Sequence, residues 1–382
     1  MIRDAVLYLA TADDAQTALL PLAGRPLAFR ALGSAIRAGC RVAIPSALRV
    51  PALERAVASS PRARAGAVWL TPGTAPPANG VLLVPAAATV TPAGLRALVA
   101  GEAPRILSAS MHSPAPVVTV DAVLAKSLWP DVCGGRPIGS TLARALRETP
   151  PTVEAAPGPY RHVTTSADVG QAERDLVREV GTAVDTWFDR SFHRRLAGPV
   201  TRLAVTAGIS PNLVSVASVV VGVAGAWCLW SATPALALLG IALYAASVVL
   251  DHADGQVARL TLTESRLGEW LDVLNDTVVH AALVLAMGVT TGGIATTLGV
   301  IAAAGVVGSS ATAKTATRST TPGVARLLDA LGNRDGFYTM LLAFVALLTF
   351  RPSLLPSLML VVAIGTHAYW LTRLAVKLFA RQ

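Results

Sequence analysis

The chain has 382 residues, room for two domains, of which 53% are hydrophobic and only 14% charged. That is too apolar for an ordinary soluble protein, and the apolar stretches concentrate after residue 210. The basic residues beyond that point fall mainly in the connections between those stretches, so the formal net charge of +9 is read as membrane-surface and phosphate electrostatics rather than nucleic-acid binding.

Residues 1 to 178 alternate short apolar runs with helical stretches. AVLYLA, RVAIPS, AVWLTP, GVLLVPA and PVVTVD read as strands; PLAFRALGSAIRAG, TPAGLRALVAG and SADVGQAERDLVREVG read as helices. This alternation predicts a Rossmann-like α/β sheet domain. The opening MIRDAVLYLATADD carries acids and no long apolar core, so no signal peptide is expected. Cys40, Cys133 and Cys228 are isolated, without zinc or disulfide spacing, which suits a cytoplasmic domain.

LLPLAGRPLAFRALGSAIRAGC and TTSADVGQAERDL resemble two segments of the sugar-phosphate nucleotidyltransferases. In active members a glycine-rich, basic loop after the first strand cradles a triphosphate, and an aspartate after a middle strand binds metal. Here those places hold ATADDAQTA and LLVPAAATV, with no glycine in the first and no acid in the second. The resemblance therefore implies a cytidylyltransferase-like domain that has lost its chemistry.

DTWFDRSFHRRL, residues 185 to 196, falls in a linker assigned to residues 179–208. Trp187, Phe188, Phe192 and Leu196 form a helical stripe beside Arg190, Arg194 and Arg195, as in a helix lying in a membrane interface. A plain linker helix packed on the soluble domain fits the same pattern.

From residue 209 onward a membrane domain of six transmembrane helices is predicted: Asn212–Trp230, Ala235–Ala253, Trp270–Val289, Ile294–Ala313, Phe337–Phe350 and Leu354–Val376. Arg259, Arg266, Lys314, Arg318, Arg326 and Arg334 follow spans two and four, and Arg373, Lys377 and Arg381 end the chain, whereas the opposite connections hold only Arg351. Positive charge thus places both termini on the cytoplasmic side of the cell membrane, with Trp227 and Trp230 at the far interface.

The segment DHADGQVARLTLTESRLGEWLDVLND, from Asp251 to Asp276, sets four carboxylates at the edge of apolar spans, where ionised groups are expensive and usually functional. On helices, Asp251 and Asp254 are i,i+3 neighbours and Asp272 and Asp276 i,i+4 neighbours, so each pair shares a face. Carboxylates brought together need cations, and Mg²⁺ takes a few carboxylates plus substrate phosphate. Gly255 and Ala258 leave room for a ligand, and Arg259 offers a forked cation for phosphate.

These residues reproduce D-x2-D-G-x2-A-R-x8-G-x3-D-x3-D, and the segment resembles the CDP-alcohol phosphotransferase family. By resemblance, Asp251, Asp254, Asp272 and Asp276 hold two divalent cations, Mg²⁺ or Mn²⁺, with Asp272 bridging. Asp276 is the base for the acceptor hydroxyl; Asp254, Gly255, Ala258, Arg259 and Gly268 bind the CDP portion. The implied reaction is attack of an alcohol on the β-phosphorus of a CDP-alcohol, releasing CMP and forming a phosphodiester. Lys314, Arg318 and Arg334 are candidates for an acceptor phosphate, or serve topology alone. The acceptor pair is either lipid-linked, or water-soluble as in fused di-inositol-phosphate synthases. The expected assembly is a homodimer among membrane lipids. His193, His280 and His367 read as ordinary polar or interfacial residues. A non-catalytic transporter or scaffold with an acidic cation site is the alternative reading.

Overall fold

A computed structural model of the protein describes residues 2–155, 158–179, 193–313 and 334–379. It divides into two compact units. The first is Met1–Gly181 together with two short outlying segments, Val205–Gly208 and Ala258–Thr263; the second is Thr182–Ala204, Ile209–Val257 and Glu264–Gln382.

The first unit is built on a seven-stranded sheet. Its strands are β1 (Asp4–Tyr8), β4 (Arg41–Ile44), β5 (Ala67–Trp69), β6 (Val81–Pro85), β8 (Arg105–Leu107), β9 (Val118–Val120) and β10 (Thr152–Glu154), in the order β10-β8-β9-β6-β1-β4-β5. Two hairpin strands, β2 (Pro21–Leu22) and β3 (Arg25–Pro26), pair with each other, as do β7 (Ala88–Val90) and β11 (Tyr160–His162). β1 runs parallel to both neighbours, with Ala5 opposite Val42 on one side and Leu82 on the other. β9 is antiparallel to β6 and to β8, so the sheet is mixed.

Side chains alternate across a strand, and this divides the core in two. Ala5, Leu7, Leu82 and Val84 face one layer with Phe29, Leu53 and Leu98; Val6, Tyr8, Val81 and Leu83 face the other with Leu128, Trp129 and Leu142. Both faces of β1 and β6 are covered, which is why these strands are near-continuous apolar runs. The covering helices are α2 (Leu27–Arg37), α3 (Pro51–Ala58) and α5 (Pro92–Ala100) on the first face, and α6 (Ala122–Cys133) and α7 (Gly139–Glu148) on the second. The remaining helices are α1 (Asp14–Thr17), α4 (Pro61–Gly66) and α8 (Ser166–Glu179).

The second unit is helical: α9 (Arg194–Thr206), α10 (Pro211–Trp230), α11 (Pro234–Thr261), α12 (Arg266–Thr291), α13 (Ile294–Ala313), and two further helices, Arg334–Phe350 and Leu355–Phe379. α11 ends beyond the unit, at Thr261. Among the described residues five helical stretches are long and apolar enough to cross a membrane; Asp335–Phe350 is apolar but shorter. Leu213, Val216, Val220 and Trp227 recur on one outward face of α10. Apolar side chains turned outward are what a lipid solvent requires.

Close helix contacts come from small residues, as membrane packing favours. A Cβ on Gly225 would lie 2.8 Å from the Gly240 carbonyl oxygen, and one on Gly288 only 2.7 Å from the Gly299 Cα. A Cβ on Gly222 would meet Val279 methyls at 2.6 and 2.7 Å. These contacts join α10 to α11, α10 to α12 and α12 to α13.

The helix that holds the second predicted span runs on past Ala253. The helix continues unbroken through the whole acidic half of the motif to Thr261, because Asp251–Leu260 contains no helix breaker besides Gly255 and buries its polar side chains against neighbouring helices. The predicted interfacial stretch lies mostly in residues 180–192, outside the described residues; Arg194–Leu196 form the first turn of α9.

Candidate active site

α11 carries seventeen residues without a charge before Asp251. Asp251 and Asp254 then project from one face one turn apart, and both are buried, at 8% and 5% exposure. α12 starts at Arg266, capped by Ser265, whose Oγ accepts from the Gly268 amide at 3.0 Å. That cap sets Asp272, exposed, and Asp276, half-buried, one turn apart on a common face.

One carboxylate oxygen from each of Asp251, Asp254 and Asp272 lies within 4.8 Å of the others. Asp276, one turn further along α12, is outside that triplet. At this spacing two ionised carboxylates repel by roughly 3 kcal/mol per pair at an effective dielectric of ~20. Three all-oxygen ligands converging in a partly buried site suit a hard divalent cation, which relieves the repulsion. The residues present therefore fit the group.

Neighbouring polar side chains support the acids. Ser215 on α10 donates its hydroxyl to Asp254 Oδ2 and also lies 3.1 Å from the Pro211 carbonyl. Asn275 on α12 donates to the Ser215 carbonyl at 3.4 Å, so α10, α11 and α12 meet at one point. Thr201 donates to Gln256 Oε1 at 2.8 Å, both side chains buried. Reasoning from the motif alone missed Ser215, Asn275 and Thr201. The signal available was weak: Ser215 lies three residues into the first predicted span, and Asn275 precedes Asp276.

The other predicted residues are dispersed. Gly255, Ala258 and Arg259 follow the acids on α11 and are partly exposed. Gly268 sits in the first turn of α12. Lys314 and Arg318 lie outside the described residues, and Arg334 opens the helix Arg334–Phe350. The histidines are engaged singly: His193 Nε2 is 3.0 Å from Tyr338 Oη, His280 Nε2 2.9 Å from Tyr244 Oη, and His367 Nε2 2.9 Å from the Ile301 carbonyl.

In the first unit, the loop after β1 is occupied by the chain itself. Asp14, 2% exposed, accepts at Oδ2 from the amides of Ala10 (2.7 Å) and Thr11 (3.3 Å), and at Oδ1 from the Thr11 hydroxyl (2.8 Å), with His162 Nε2 at 3.1 Å. Burial pushes the Asp14 carboxyl up, but hydrogen bonds from His162, Thr11 and Ala10 outweigh it and hold it below the usual carboxylate value.

The chain thus combines a membrane-type helical region with a convergent acid triplet, and its sequence is similar to known proteins of one kind. Residues 208–372 match the CDP-alcohol phosphatidyltransferase family. A bifunctional IPC transferase and DIPP synthase of Thermococcus kodakarensis is 33% identical over 125 residues, 32% of this chain and 28% of that protein. A CDP-diacylglycerol–serine O-phosphatidyltransferase of Mycobacterium leprae is 40% identical over 80 residues, 21% of this chain and 26% of that protein. The chain thus spans little more than a quarter of the length of each of these two relatives. Among solved structures, a Mycobacterium tuberculosis phosphatidylinositol phosphate synthase with CDP-DAG bound overlays with a TM-score of 0.37 at 18% identity, covering 47% of this chain and 92% of that one.

Proposed function

We propose that the protein is an integral-membrane CDP-alcohol phosphotransferase. It moves a phosphoalcohol from a CDP-alcohol donor to the hydroxyl of an acceptor alcohol. The observation that carries this reading is the convergence of Asp251, Asp254 and Asp272 within 4.8 Å, in a segment that keeps every fixed position of the family signature. Asp251, Asp254, Asp272 and Asp276 would hold two Mg²⁺ or Mn²⁺ ions, which would supply charge neutralisation at the diphosphate and its transition state.

The chain's own residues do the rest. Gly255 and Gly268 present no side chain, Ala258 only a methyl, and Arg259 a fork of donors to the donor's phosphates. Asp276 takes the proton from the acceptor hydroxyl. The oxygen so freed forms a bond to the β-phosphorus as that phosphorus loses its bond to the bridging oxygen, and the electron pair leaves with CMP. Ser215 and Asn275 hold Asp254 and the helix junction in register. Lys314, Arg318 and Arg334 bind a phosphate on the acceptor.

The same reading assigns residues 1–178 to a cytidylyltransferase-like domain without nucleotidyl transfer, 179–208 to a juxtamembrane linker and 209–382 to six spans. It places both termini and the site on the cytoplasmic side of the membrane, in a homodimer. Loss of the first domain's chemistry is supported by the Asp14 carboxylate, which occupies loop amides where a phosphate nest would need them free.

The test is CMP release from CDP-inositol, CDP-glycerol and CDP-diacylglycerol with phosphorylated acceptors, with products identified by mass. Asp272→Ala should abolish release in protein that still inserts, chelation should do the same to the parent, and Mg²⁺ or Mn²⁺ should restore it. Full activity of Asp272→Ala would refute the mechanism, and absence of CMP from every donor would favour a transporter or scaffold.

A further inference from the structure

The motif helix α11 ends in an unusual way. The Thr263 amide donates to the Ala258 carbonyl at 3.0 Å, and Leu262 has φ 54°. This is a helix stop of the kind that glycine normally makes, because a left-handed residue with a Cβ is strained by roughly 1–2 kcal/mol. Leucine is kept there because its side chain is 2% exposed inside the apolar core of the first unit. Gly33 on α2 makes the space: a Cβ there would lie 2.9 Å from Leu262 Cδ1. Strain held in place by surrounding structure is a pointer to function.

The carbonyls of that last turn are satisfied by side chains of the same unit. Arg30 Nη1 donates to the Leu260 carbonyl, Arg37 Nη2 to the Arg259 carbonyl, and Ser60 Oγ to the Leu262 carbonyl at 2.7 Å. Arg30 is itself 6% exposed and spends its other donors on the carbonyls of Leu22 (2.8 and 3.1 Å) and Ala23 (2.8 Å). Burial, then the neighbouring Arg25 and Arg37, push its guanidinium down to about 9, so it is charged at neutral pH. A buried cation is costly, and an apolar side chain here would leave the carbonyls it binds without donors. What a cation adds at a helix C-terminus is attraction to the end carbonyls and a fixed direction.

We propose that Arg30, assisted by Arg37, is a positioning residue for the donor-binding turn Ala258–Arg259, and that this is the retained task of the α/β unit. The proposal rests on the phosphotransferase reading, in which Ala258 and Arg259 contact the CDP portion. Arg30 touches no substrate; it fixes the backbone of the turn that does.

The experiment uses the purified full chain in detergent. CMP binding in the presence of Mg²⁺ is measured by calorimetry, together with KM for the donor and for the acceptor. Arg30→Lys and Arg37→Ala should weaken CMP binding by about 2- to 30-fold, the range of coupling carried through packed elements, and raise donor KM in parallel, while acceptor KM stays near the parent's and, for Arg37→Ala, so does the unfolding midpoint. Arg49→Ala, which removes an exposed ion pair with Glu54, should change none of these. If Arg30→Lys does not accumulate, Arg37→Ala decides alone. Folded variants that bind CMP as the parent does, or that shift donor and acceptor KM alike, overturn the positioning role. A parent that neither binds CMP nor releases it from any CDP-alcohol overturns the phosphotransferase reading, and the positioning role falls with it.

Discussion

Ser215→Ala tests the site through a residue outside the signature. The change deletes one hydroxyl from α10 and leaves the backbone carbonyl that Asn275 binds. Ser215 is 8% exposed and its partner Asp254 5% exposed, so solvent does not readily replace the lost donor. A hydrogen bond to a charged group is worth about 1.5–3 kcal/mol, or ten- to a hundredfold in an equilibrium constant. Removal of partners that orient metal-ligating groups typically costs the same 10–100-fold. The Mg²⁺ concentration for half-maximal CMP release should therefore rise by about that factor, with excess Mg²⁺ restoring much of the rate. Ser218→Ala is the matched control: it too is buried, and its hydroxyl donates to a backbone carbonyl, that of Ser247 at 2.9 Å, rather than to a carboxylate. It should lower thermal stability by roughly 0.5–1.5 kcal/mol and leave the metal requirement alone. A Ser215→Ala enzyme with the parent's Mg²⁺ titration would refute the supporting role assigned to this hydroxyl.

Lys314→Ala, Arg318→Ala and Arg334→Ala should each raise acceptor KM by about ten- to a hundredfold with donor KM nearly constant, and Arg259→Ala should show the opposite bias; unchanged kinetics in the first three would discard the acceptor-phosphate pocket. The full chain should form no CDP-alcohol from CTP and a phosphorylated alcohol, and turnover above a mock preparation would show that the first domain is still active. Asp168, partly exposed, accepts from the amides and hydroxyls of Thr164 and Thr165 at the start of α8, which pull its carboxyl down to about 2 from 3.8. Its folded value is depressed, so its contribution to α8 is complete above about pH 4 and is lost as pH falls through about 2. Proteolytic protection of α8 should decline over that interval in the parent, and Asp168→Asn should remove this component of the pH dependence.

The signature between Asp251 and Asp276 was legible because metal and phosphate chemistry tolerates few residue types at few spacings, and a helix converts i,i+3 and i,i+4 spacing into shared faces without help from the rest of the fold. The five long apolar helices were legible for a similar reason: lipid requires about twenty apolar residues in one run. The central strands β1, β4, β6 and β9 were readable as apolar runs, while β8, β10 and the short β7–β11 pair were not, since three residues carry too little pattern to outweigh their neighbours. Sequence spacing could pair Asp251 with Asp254, yet it could not say that Asp272 would join them and Asp276 would lie outside the triplet. That depends on where α10, α11 and α12 pack, which close glycine contacts and the Ser215–Asn275 junction decide. The same holds for Leu262 and Arg30. Read along the chain, one is a residue in a loop and the other a basic residue on an amphipathic helix. Only tertiary structure buries both, because a left-handed leucine and a desolvated guanidinium are stable solely where a cavity and a set of carbonyls from distant segments are already in place.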